Sequence, residues 1–123
     1  MENIKLINTD LNAARTEFHE LLSLTGAEVS YNNLPKDAEI PFVHSHKENE
    51  EFYLVLKGSG KFYADGRIFD LKKGSALKVK PAVKRCIKAG NEGISYICIQ
   101  AKEHSLSQFT MTDAVIAEEK AVF

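Results

Sequence analysis

The sequence predicts one all-β domain, an antiparallel sandwich or barrel with a short helix at its N-terminal end. Three observations carry this. The chain has 123 residues, one domain's length. From residue 27 onward the apolar pattern has a period of two. The strands so marked are short and evenly punctuated by glycine-containing turns, the signature of sandwiches and barrels.

Leu11, Phe18, Leu21 and Leu22 recur at helical spacing, and Gly26 stands where a helix would stop. This predicts a helix over about Ala13 to Leu24. Val29 and Tyr31 then alternate with polar neighbours, and Leu34-Pro35-Lys36-Asp37 reads as a turn. Further strands are expected at Pro41–His46, Glu51–Lys57, Lys61–Ala64, Arg67–Leu71, Ala76–Lys80, Arg85–Ala89 and Ile94–Lys102. Gly58-Ser59-Gly60, Asp65-Gly66 and Asn91-Glu92-Gly93 separate them. Asp-Gly between alternating strands marks a tight hairpin, because both turn positions need positive φ. The expected organisation is a helical segment at 1–26 packed on a barrel at 27–102, with a tail at 103–123 that is either a short helix near Ala114 to Lys120 or an extended arm.

Hydrophobic residues make up 44% and charged residues 27%, which excludes a mostly disordered chain. The longest apolar run, Phe52 to Leu56, is far too short to span a membrane, and no leader of the signal-peptide kind is recognised. The formal net charge of −1 speaks against a nucleic-acid partner. Two cysteines, Cys86 and Cys98, make no disulfide framework, and a cytoplasmic protein with free thiols is expected.

His44 and His46 lie two apart on an expected strand, so both imidazoles point to one face. Glu51 follows after a polar loop and returns beside them if the two strands pair. Two imidazoles and a carboxylate form a ligand set for one divalent metal, with iron, manganese, nickel and zinc all compatible. The competing reading is a pair of surface histidines on an edge strand. Tyr53 shares the parity of Glu51 and is either a hydrogen-bond donor to a ligand or a barrel-filling side chain. His19, His104 and Cys98 carry no motif and read as surface and core residues.

The stretch Pro41-Phe42-Val43-His44-Ser45-His46, the pair Glu50-Glu51, and Phe52 to Gly58 resemble the first motif of the cupin superfamily, H-x-H-x3,4-E-x6-G, with His44, His46, Glu51 and Gly58 at its marked positions. Ala38 stands where the motif has its leading glycine. The second motif, G-x5-P-x-G-x2-H-x3-N, is weakly matched: Gly74 and Pro81 are one residue too far apart, and Val83, Cys86 and Gly90 occupy the glycine, histidine and asparagine positions. The resemblance spans about residues 27 to 101. It implies a double-stranded β-helix, or jelly-roll barrel, with the site inside. It also places Cys86 at the fourth ligand position, as a thiolate ligand favouring a softer ion or else as a small buried residue.

From Leu71 to Asn91 there is no acidic residue but seven basic ones, Lys72, Lys73, Lys78, Lys80, Lys84, Arg85 and Lys88. Lys84 and Lys88 share the parity of Cys86. On a regular strand they would flank the pocket mouth and attract an anionic ligand; otherwise they are a solvated edge. Phe52, Leu54 and Leu56 give the strand a second apolar face, which calls for the helix or a second subunit and makes a homodimer the expected assembly. Two functions fit: a metal-dependent enzyme acting on a small polar or anionic metabolite by isomerase, lyase or dioxygenase chemistry, or a non-catalytic small-ligand binder or sensor.

Overall fold

The computed structural model describes residues 3–123. Six strands form one antiparallel sheet in the order β1-β2-β6-β3-β4, with β5 paired to β3 off that path. The elements are β1 (Arg15–Glu17), α1 (Phe18–Leu22), β2 (Glu28–Leu34), β3 (Asn49–Ala64), β4 (Arg67–Lys72), β5 (Ala76–Val79), β6 (Arg85–Lys102) and α2 (Thr110–Asp113). The all-β expectation holds. Among the described residues no helix is long and apolar enough to cross a membrane.

Two long strands organise the molecule. The first half of β3 pairs with β5 and with the second half of β6, and its second half pairs with β4 and with the first half of β6. The expected breaks at Gly58-Ser59-Gly60 and Asn91-Glu92-Gly93 are therefore not strand ends. They are irregularities inside continuous strands, with register shifts between Val55 and Lys57 and between Gly58 and Gly60. The glycines are required there by close approach: a Cβ at Gly58 would lie 2.1 Å from the carbonyl oxygen of Gly93. Gly58 and Gly93 also hold positive φ, 79° and 77°, a region costly for other residues. The Asp65-Gly66 hairpin turn has positive φ at both positions, 46° and 86°, and joins β3 to β4 as the dipeptide predicts.

The bent strands wrap one core. Tyr53, Val55, Phe62, Leu71, Val79, Ile87, Ala89, Ile94, Tyr96 and Cys98 pack together inside, with Leu34, Ile40 and Leu77 against them.

The N-terminal end differs from expectation. Instead of a helix over Ala13 to Leu24, Arg15–Glu17 is extended and pairs with Asn32–Ser30, and the helix is the five residues of α1. The pairing with β2 captures the residues that would have formed the first turn. Ser23, in the left-handed region at φ 56°, ends the helix before Gly26. The expected strand at Pro41–His46 is likewise not regular. Only His44 bridges, to Arg85, and Pro41 has no N–H to offer a ladder. In the tail the helical turn falls at Thr110–Asp113, and 114–120 is not helical.

Candidate metal centre and its cavity

Backbone pairing brings the histidines to the end of β6. His44 N–H donates to the Arg85 carbonyl (3.1 Å), Arg85 N–H donates to the His44 carbonyl (2.9 Å), and His46 N–H donates to the Pro81 carbonyl (2.8 Å). The Arg85 side chain reinforces this corner, its Nη1 donating to the carbonyls of Pro81 (2.9 Å) and Val83. The two imidazoles meet edge to face, with ring centroids 5.2 Å apart. Ligand atoms of His44, His46 and Glu51 all lie within 4.8 Å of one another.

Glu51 sits at the start of β3, 4% exposed. Its two oxygens have different neighbours. Oε1 accepts from Tyr53 Oη (2.8 Å) and Arg85 Nε (2.9 Å), and Arg85 Nη2 is also 2.8 Å away. Oε2 faces His46 Nε2 (3.3 Å) and the Cys98 thiol (3.4 Å). Burial alone would push the Glu51 carboxyl up, but the hydrogen bonds from Tyr53 and Arg85, together with the Arg85 charge, hold it below the usual range. It is a carboxylate at neutral pH with one oxygen committed and one available. Nη2 of Arg85 meets Oε1 as an ion-pair contact but makes no hydrogen bond.

The donor set suits a divalent ion. His44 Nδ1 is buried without a hydrogen-bond partner, which a buried polar atom rarely tolerates unless something coordinates or bonds it. Burial, with lesser contributions from the Arg85 and His46 charges, pulls His44 below its ordinary 6.5 against the pull of Glu51. Its ring is therefore neutral at neutral pH, the form that ligates a metal.

The cavity above this cluster has a volume of about 370 Å³ and is walled by Ile40, Phe42, Tyr53, Phe62, Ile87 and Tyr96, with Arg15, Arg85 and Gln100 as polar additions. Cys86 also lines it, but its Sγ donates to the Ile40 carbonyl (3.1 Å) and is not part of the three-residue ligand cluster. Burial pushes its thiol up, against a backbone hydrogen bond. Cys98 is pushed up to about 12 by burial and by Glu51. Tyr53 lines the cavity, but its hydroxyl is committed to Glu51. Lys84 and Lys88 are exposed and line no part of this cavity. The alternation along β6 turns Arg85, Ile87 and Ala89 inward, and Lys84 and Lys88, two positions either side of Cys86, are exposed. His19 and His104 are exposed, each beside a carboxylate.

Arg85 and Arg15 are the residues that sequence reasoning missed. Arg85 was counted as one charge in a basic run. Its parity with Ile87 and Ala89 was the signal that would have placed it inside. Arg15 had been assigned to a helix, and no sequence signal marked it.

Comparison with known proteins agrees with this architecture. Residues 31–100 match the cupin domain family model, and the chain belongs to that family. A crystal structure of a cupin protein from Bacteroides fragilis is 46% identical, with a TM-score of 0.90 over 95% of this chain and 99% of that one. A protein from Thermotoga maritima, described as a predicted oxalate decarboxylase, is 21% identical with a TM-score of 0.54, over 62% of this chain and 64% of its own. An uncharacterised protein from Methanocaldococcus jannaschii is 30% identical over 64 residues. The match spans about half of each of those two chains, 51% in both cases.

Proposed function

We propose that this cupin-domain protein holds one divalent metal ion through His44, His46 and Glu51 Oε2 and acts on a small anionic metabolite in the cavity above. The observation that carries the reading is the convergence of ligand atoms of His44, His46 and Glu51 within 4.8 Å of one another, with His44 Nδ1 buried and unpartnered. The chemistry such an ion supplies when bound is Lewis-acid polarisation of substrate oxygens or activation of oxygen. The chain's own residues do the rest. Arg85 and Tyr53 fix Glu51 so that one oxygen is left to ligate, and the cavity wall around it is largely apolar. Arg85 offsets the Glu51 charge, so an ion held there would keep its positive charge, which favours an anionic partner. At 21% identity the likeness to the Thermotoga protein supports the fold alone.

A non-catalytic ligand-binding role is the second reading. It is favoured by the lack, among the described cavity residues, of a free acid or base: Tyr53 is committed and the Cys98 thiol is pushed up to about 12. Turnover on a metabolite panel with iron, manganese, nickel or zinc added tests both. Metal-dependent product supports the enzyme, and saturable binding without product supports the sensor.

We also propose a homodimer. Phe52 and Leu56 on the outer face of β3 are both 39% exposed, and the tail leaves Leu106, Phe109, Val115 and Ile116 uncovered. Exposed large apolar side chains in this number favour a partner.

A further inference from the structure

We propose that Arg15 anchors a second anionic group, so that the cavity selects a small dianion with one charged end at the Glu51 cluster and the other at Arg15. The inference rests on the reading of the inner end as the metal centre and adds the class of ligand.

The register across the sheet places Arg15 opposite Asn32, Asn32 opposite Tyr96, and Tyr96 opposite Val55. Residues in register on neighbouring strands share a face, and this row runs along the inner face that carries the core. Asn32 and Ser30 are buried polar residues on that face, 3% and 2% exposed. Such groups are costly unless bonded. Asn32 Nδ2 donates to Ser30 Oγ (3.0 Å), and Asn32 Oδ1 accepts from Arg15 Nη1 (2.7 Å). The buried pair is thus a support that fixes the guanidinium at the cavity.

A guanidinium has five donors. Arg15 spends one on Asn32 and one, from Nε, on Glu17 (2.8 Å). Three N–H groups remain, enough for a planar bidentate grip on a carboxylate or phosphate. The Glu17 pair does not remove this capacity. Both side chains are about half exposed, 49% and 53%, and exposed pairs are weak. The charge balance of the lining points the same way. Within the lining, the Glu51 carboxylate is matched by the buried Arg85, whereas Arg15 is balanced only by its exposed pair with Glu17. Arg15 and Gln100 also line a neighbouring groove with His19, Glu28 and Lys102, so Arg15 stands where the cavity opens.

The test compares malonate, succinate and glutarate with monocarboxylates of equal carbon number. Calorimetry on the manganese- or zinc-loaded protein and on the metal-free protein reads affinity, and metal content is measured alongside. The wild type is expected to bind the best dicarboxylate about tenfold more tightly than its monocarboxylate partner. Arg15→Gln should abolish that preference while leaving metal content and monocarboxylate affinity unchanged. Glu17→Gln, which removes the competing carboxylate charge, should strengthen dicarboxylate binding a few-fold. A wild type without the preference, or an Arg15→Gln protein that keeps it, overturns the proposal. A Glu17→Gln protein with unchanged or weaker dicarboxylate binding also counts against it. Failure of the metal reading shows separately, as a wild type that takes up no ion, and dicarboxylate binding to the metal-free protein, present in the wild type and weakened in Arg15→Gln, still decides the role of Arg15.

Discussion

Two arginines line the cavity, and they differ in almost every physical respect. Arg85 is fully buried, ion-paired to a buried carboxylate and bonded to the carbonyls of its own loop. Arg15 is half exposed, touches one buried asparagine and one surface glutamate, and keeps donors to spare. A buried charge with its partners in place holds architecture together, because removing either partner strands the other in a low-dielectric interior. A charge at the mouth can exchange partners at little cost and is suited to meeting a ligand. On the proposal above, the same residue type serves as a structural clamp at Arg85 and as a recognition element at Arg15.

Substitution should separate these roles. Arg85→Met leaves Glu51 buried and unpaired and is expected to cost about 3–5 kcal/mol of stability. Arg15→Gln should cost about 1 kcal/mol or less, because its ion pair is exposed. Denaturant unfolding of the two variants beside the wild type checks this, and equal losses would erase the distinction.

Acid sharpens the comparison, because only the buried end carries shifted groups of acid range. His44 is held below its ordinary 6.5 chiefly by burial. As the pH falls through that value the unfolded chain takes up the proton first, so stability present above it is lost on the way down to the folded pKa. Glu51, also depressed despite its burial, acts in the same direction lower down: its contribution is present above the unfolded carboxyl value and is lost as the pH falls through the folded one. The metal-free protein should therefore melt at progressively lower temperature from about pH 7 to about pH 4, and His44→Asn should flatten the upper part of that slope. A melting temperature that rises on acidification would contradict the arrangement.

Smaller effects are expected where the thiols lie. Cys86→Ser removes one hydrogen-bonded sulfur from the cavity wall and should change stability by about 1 kcal/mol without altering metal content. A large loss of bound metal would bring Cys86 back as a ligand. Assembly offers a further check: sedimentation at micromolar concentration should show a species twice the 13.7 kDa chain, and a strictly monomeric protein would contradict the proposed dimer.

The difference between the two arginines also explains what the sequence shows and hides. The His44, His46, Glu51 and Gly58 spacing is local, and its consequence for one face follows from strand alternation, so the cluster was legible. Asp65-Gly66 was legible because its turn needs positive φ. Gly58 and Gly93 were misread as turn glycines, since the reason for them is contact between two strands distant in sequence. The N-terminal segment has helical spacing, but pairing with β2 outweighs a helix of marginal length. A buried arginine is hidden for a related reason: a basic residue in a basic run is ordinarily solvated, and only its carboxylate partner 34 positions away makes burial tolerable.

The central claim is that His44, His46 and Glu51 form a metal centre, and metal content after equilibration with manganese or zinc tests it most directly. The wild type should retain about one ion per chain, as expected of a mononuclear site. His44→Ala and His46→Ala should each lower affinity at least about tenfold, while His19→Ala and His104→Ala should match the wild type. Equal metal content across all four variants would contradict the account.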